Sequence, residues 1–264
     1  MSISTTMTLY QIDAFTDKLF GGNPAGVIVL DAWPADPLMQ SIALENNLAE
    51  TAFVVPEGDD FRIRWFTPAI EVNLCGHATL AAAFVMFTEL NYSKDIIRFQ
   101  SRSGWLYVSK NDSWLTLDFP SDMLRPLDIT SDMQKCTTAN ILEAYQGRSD
   151  YMFVLADEKA VKTSHFDQLA ISHLGHRGII VTAEGKDVDF VSRFFAPAYG
   201  IPEDPVTGSA HTTLTPYWSE RLSKKNLTAR QVSPRGGYIK CELTEDRVLI
   251  SGQAVKYLEG NILI

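Results

Sequence analysis

A chain of 264 residues, 45% hydrophobic and 21% charged, has the composition of a globular protein with one large or two modest domains. Its net charge of −9, with Lys and Arg scattered singly, excludes a basic footprint for nucleic acid or an anionic membrane. Three cysteines (Cys75, Cys136, Cys241) with no CxxC spacing argue against a disulfide framework or zinc site. With the polar stretch Met1 to Thr6 lacking a signal-peptide pattern, they point to the cytoplasm.

In chain order, residues 9–15 alternate as a strand and 26–30 form a second. The glycine-led loop 21–25 between them holds Asn23, which serves either a hairpin connection or a site. A helix is predicted over 36–46 with Met39, Ile42 and Ala43 inward, then a strand over 51–55. Glu50 stands at that re-entry. It is either an exposed strand start, the default for glutamate, or a partly buried acid.

Residues 61–66 alternate strictly and lead into 66–80, extended to Pro68, turned at Gly76 and helical from His77. The helix from Ala78 to about Leu90 is apolar on every face. At about a dozen residues it falls short of the roughly 20 that span a bilayer, so it is the centre of a core. Strands over 96–101, 105–109 and 114–119 follow, and the proline-bearing 120–130 marks a boundary.

The second half repeats the order. A helix capped by Asp132 runs to about 145, then come a strand over 151–155, a short helix over 166–172, and strands over 178–182 and 190–195. Phe195-Ala196-Pro197-Ala198 matches Phe66-Thr67-Pro68-Ala69, and Gly208-Ser209-Ala210 matches Gly76-His77-Ala78, each opening a helix. A repeat spaced by half the chain points to duplication rather than to two chance Pro/Gly turns. After the second helix, 210–222, come strands over 229–232, 238–243, 247–250 and 257–264, with 233–237 a hairpin-like loop. The expected domains are 1–120 and 130–256, with the strand 257–264 packing back onto the first.

A helix N-terminus leaves its first N–H groups unpaired and carries about half a positive charge. Two of them suit one carboxylate, so an acidic chain can hold an anionic metabolite without a basic patch. Gly76 and Gly208 allow close backbone approach and Ser209 adds a hydroxyl. Either turn alone is an ordinary helix start, with Ser209 as N-cap, but the matched pair points to an anion held between them. His77 is either structural or a neutral donor or acceptor, its cation disfavoured by the helix dipole. Asp204, in the rigid Pro202-Glu203-Asp204-Pro205, is either aimed at the second helix start or simple turn chemistry.

Gly22-Asn23-Pro24-Ala25-Gly26-Val27, Asn47-Leu48-Ala49-Glu50-Thr51, Cys75-Gly76-His77-Ala78-Thr79, Glu203-Asp204-Pro205-Val206-Thr207-Gly208-Ser209-Ala210 and Ser233-Pro234-Arg235-Gly236-Gly237 together resemble the PhzF family of phenazine-biosynthesis-like isomerases. The resemblance implies an α+β, diaminopimelate-epimerase-like fold. In it two pseudo-symmetric domains each wrap a curved, mostly antiparallel sheet around a central helix, with the site in their cleft. It also implies proton transfer on a small, cyclic or unsaturated carboxylate without metal or organic cofactor. Glu50 falls on the family's acid/base residue, His77 and Asp204 on its supporting polar pair, and Gly208-Ser209 on its carboxylate-binding turn. Gly76 and Asn23 join the binding set. In related racemases a cysteine precedes both turn glycines; here Cys75 precedes one and Thr207 the other, which speaks against two-base racemisation. The alternatives are an epimerase-like enzyme using Cys75 with another partner, or a member that binds a metabolite or protein without turnover. A homodimer is left open.

Overall fold

The structure, a computed structural model, describes residues 6–264. The opening stretch read above for a signal peptide lies outside them, apart from Thr6. The chain divides into two compact units, one of the described residues up to Asp118 together with Ser251–Ile264, the other Phe119–Ile250.

The first unit is built outward from its apolar helix, Gly76–Thr88, in which His77 through Ala83 are all buried. A segment apolar all round can only be satisfied by cover on all sides. Here strands Thr6–Ala14, Asn23–Val29, Glu50–Glu57, Gly104–Asn111 and Ala254–Leu263 all pack against it. Thr6–Ala14 pairs antiparallel with both Asn23–Val29 and Ala254–Leu263. Asn23–Val29 runs parallel to Glu50–Glu57, which turns back antiparallel as Asp60–Phe66. Asp60–Phe66 is parallel to Ile96–Ser101, itself antiparallel to Gly104–Asn111.

The second unit repeats this pairing order. Asp150–Val154 runs parallel to Gly178–Glu184, which is antiparallel to Phe190–Ala196. Phe190–Ala196 is parallel to Asn226–Gln231, itself antiparallel to Gly237–Thr244. The helix Gly208–Leu222 stands between the last parallel pair, as Gly76–Thr88 does in the first unit. A separate apolar cluster (Phe153, Val161, Phe166, Val181, Phe195 among others) fills the other side of this sheet.

Several elements differ from the sequence expectation. The helix expected over 132–145 stops after Ser131–Lys135, with Thr130 rather than Asp132 as its N-cap. The Gln134 side chain bonds Thr137 O, Ala139 O and Ile141 N, replacing helical bonds, and Glu143–Gln146 pairs as a strand with Asp150–Val154. A further helix, Glu158–Thr163, precedes the one expected over 166–172, which is confined to Gln168–Ser172. Asn23, Pro24 and Ala25 are strand, not loop.

Candidate active site

In the first unit, four neighbouring side chains are set by backbone devices that the local sequence supplies. Gly22 has φ +62°, and a Cβ there would lie 2.1 Å from Ala14 O, so only glycine can make the turn that delivers Asn23 into its strand. Asn47, left-handed at φ 49°, ends the helix Asp36–Asn46, and Glu50 then opens its strand opposite Ala25. Cys75 occupies the N-cap position of Gly76–Thr88, and His77 lies in that helix's first turn.

These devices converge. Glu50 Oε2 lies 3.2 Å from His77 Nε2, with side chains only 12% and 6% exposed. The pair is off the line of a directed hydrogen bond, and neither atom has another partner among the described residues. On the other ring nitrogen, His77 Nδ1 meets Asn23 Nδ2 at 3.3 Å and Cys75 Sγ at 3.5 Å. In the neutral ring Nδ1 therefore accepts and Nε2 is the protonated nitrogen, close to Glu50 but not aimed at it.

Burial presses against charge on His77, but the Cys75 sulfur and the Glu50 carboxylate press harder the other way, and the imidazole is held well above its ordinary value. The thiol is itself pushed up to about 11, by burial first and by Glu50 second. The imidazole is thus tied to the Cys75 sulfur first and to Glu50 second. This corrects the expectation from the helix dipole: a half charge at a helix end is outweighed by the Cys75 sulfur and the Glu50 carboxylate beside the ring.

In the second unit, Gly208–Leu222 starts with neither a side-chain cap nor an acidic residue in its first turn. Thr207, not Ser209, is the cap residue, and its hydroxyl donates to Asp204 Oδ2 at 2.5 Å. Gln231 clamps this turn from both sides: its Oε1 accepts from Thr207 N at 2.8 Å, and its Nε2 donates to Asp204 O at 2.7 Å. The Ser233 hydroxyl donates to Pro205 O, which ties the 233–237 loop to the same turn.

Ser209 is left free for another use. Arg177 Nη2 donates to Ser209 Oγ at 3.1 Å, while the guanidinium grips buried Asp150 through both carboxylate oxygens and lies over the Phe194 ring. Arginine has no lone pair to offer, so Ser209 Oγ must accept, and its own O–H is free to donate to an anion. His211, one turn further on, is pushed down to about 4 by burial and bonds Thr207 O through Nδ1, a structural histidine.

Of the residues singled out in the sequence, Asn23, Glu50, Gly76 and His77 come together in the first unit, and Asp204, Gly208 and Ser209 in the second. Arg177, Asp150 and Gln231 were not foreseen. Their partners lie 24 to 32 positions away, and no local motif announces them.

The family model described as "Phenazine biosynthesis-like protein" matches residues 12–260. An uncharacterized isomerase of Pseudomonas aeruginosa is 49% identical over 256 residues, covering 97% of this chain and 98% of its own. Among solved structures, a phenazine biosynthesis protein of the PhzF family from Enterococcus faecalis has a TM-score of 0.97 at 46% identity, over 98% of this chain and 100% of that one. A hydroxyproline epimerase from Agrobacterium vitis has a TM-score of 0.67 at 11% identity, over 100% of this chain and 94% of that one, a likeness of fold alone. A match over nearly the whole length, with relatives close to half identical throughout, fixes the lineage: this chain belongs to the PhzF, or phenazine-biosynthesis-like, family and has its epimerase-like fold.

Proposed function

We propose that the protein is an isomerase that moves a proton along a small unsaturated carboxylate, with Glu50 as the single acid/base and no organic cofactor or metal. The observation that carries this reading is the Glu50–His77 contact of 3.2 Å, nearly closed to water at the start of the apolar helix. The Glu50 carboxylate takes a proton from carbon, the charge spreads through the conjugated system toward the substrate's carboxylate, and the same proton returns to a second carbon. Nothing is gained or lost, as an isomerisation requires. One carboxyl group serving in turn as base and acid suits a shift on one face.

His77 supports Glu50 by keeping its protonated Nε2 3.2 Å from the carboxylate, as a charge partner rather than a directed donor. The Gly76 turn in the first unit, and by itself the Gly208 turn with the Ser209 hydroxyl in the second, each offer donors suited to a carboxylate without a basic patch. Asn23 orients His77 through Nδ1, and Asp204 fixes the second turn through Thr207. Curated relatives named as isomerases support the reaction class.

The test is C–H exchange in D2O, followed by NMR over a panel of unsaturated and hydroxylated carboxylates. Site-specific deuterium incorporation is expected for one of them. Carboxylates that bind without any exchange would instead support a binding member of the family.

Two-base racemisation has less support. Thr207 stands where a second thiol would be needed, and its hydroxyl proton is committed to Asp204. The remaining cysteines, Cys136 and Cys241, are buried in the second unit. Cys75→Ala is therefore expected to keep exchange within about tenfold of wild type, a barrier change of about 1.4 kcal/mol or less. A folded Cys75→Ala with no exchange, beside an active Glu50→Gln, would reverse this assignment.

A further inference from the structure

We propose that Glu50, Cys75 and His77 form a capture site for a divalent transition ion of the zinc class. Each side chain offers one ligand atom, and these atoms all lie within 4.8 Å of one another, the one such group among the described residues. Tetrahedral zinc, with bonds of roughly 2.0 to 2.3 Å, sets its ligands roughly 3.3 to 3.8 Å apart. His77 Nε2 and Glu50 Oε2 already stand at 3.2 Å, and Cys75 Sγ is 3.5 Å from the same ring at Nδ1. These distances run to the two different ring nitrogens, so an ion on Nε2 requires the Cys75 side chain to turn toward it.

A second observation points the same way. His77 Nε2 and Glu50 Oε2 are fully buried atoms without a directed hydrogen-bond partner among the described residues. Buried polar atoms left in this way are normally satisfied, and an ion shared between them does so. The charges also close: a dication with one carboxylate and one thiolate is neutral, which a buried site requires. On coordination the Cys75 S–H proton passes to solvent, the Nε2 proton of His77 leaves that nitrogen so that its lone pair can bind, and sulfur–metal and nitrogen–metal bonds form; no electron changes hands. Three protein ligands leave a fourth position for water or an anion.

The spacing of cysteines in the sequence argued against zinc because it looked for ligands close in the chain. Glu50 arrives from another strand. The positive end of the helix opposes a cation, so capture is reversible. Whether or not Glu50 moves a proton, the site stands on its ligands alone.

Cobalt(II) is the probe, since a thiolate ligand gives it a near-ultraviolet charge-transfer band and tetrahedral coordination gives strong visible bands. Wild-type protein titrated under reducing conditions is expected to show both, saturating at one equivalent and bleached by Zn²⁺. Cys75→Ser should abolish the near-ultraviolet band, while Cys136→Ser and Cys241→Ser leave it intact. If Cys75→Ser fails to fold, the near-isosteric Glu50→Gln decides, with cobalt affinity expected to fall by roughly tenfold or more. No charge-transfer band in wild type, a band that survives Cys75→Ser, or unchanged affinity in Glu50→Gln overturns the proposal.

Discussion

Glu50→Gln is expected to preserve the fold and the affinity for carboxylates while lowering proton exchange by roughly 10²–10⁴-fold. That loss corresponds to about 3 to 5 kcal/mol of barrier. Glutamine keeps the shape of the side chain but cannot take a proton at neutral pH. The substitution has a second reading that needs no substrate. After the Cys75 sulfur, the Glu50 carboxylate holds His77 above its ordinary value against burial, so in Glu50→Gln the imidazole should titrate at lower pH, visible by NMR of its ring protons. Exchange that continues at the wild-type rate would remove Glu50 from the mechanism. An unmoved His77 titration would show that the pair is not coupled.

The next largest effect is expected at Arg177. Its guanidinium pairs with Asp150, a carboxylate only 5% exposed, through both oxygens. Arg177→Met leaves that charge buried without its partner, which should cost roughly 3 kcal/mol of stability, the low end for a buried pair because the arginine is itself partly open to water. Adding Asp150→Asn should recover much of the loss, since it removes the stranded charge. Urea denaturation of the two single variants and the double one measures the coupling. A double variant that falls by the sum of the two single losses would show that the pair acts independently. Arg177→Met should also loosen Ser209, whose Oγ then loses the donor that fixes its direction.

The sequence carried the fold where periodicity and composition were unambiguous. The apolar run after His77 could be nothing but a covered helix, and it spans Gly76–Thr88. The Phe-x-Pro-Ala and Gly-x-Ala echoes pointed to a repeat, and the two units share one order of strand pairings. Reading failed where a side chain replaced the backbone, as at Gln134, whose amide closes the chain after one and a half helical turns. It also failed where a local field met a distant charge. The dipole argument for His77 left out the sulfur of Cys75, two positions away, and the carboxylate of Glu50, 27 positions earlier, and both push the other way. Arg177 was illegible for the same reason. A lone arginine before a glycine has no signature until the parallel pairing of Asp150 with Gly178 brings its partner alongside.

The pairing of Ala254–Leu263 with Thr6–Ala14 bears on how the chain emerges during synthesis. Phe119–Ile250 is contiguous, so the second unit has all its strands as soon as Ile250 has been made. The first unit has no such moment until much later. Its opening strand waits with one edge unpaired while the whole second unit is translated. At 5–20 residues per second that delay is on the order of ten seconds, ample time for an open strand edge to find a wrong partner. Although its sequence comes first, the unit that carries Glu50 and His77 is therefore the last to close, and a ribosome stalled after Ile250 would hold a finished second unit beside an incomplete first one.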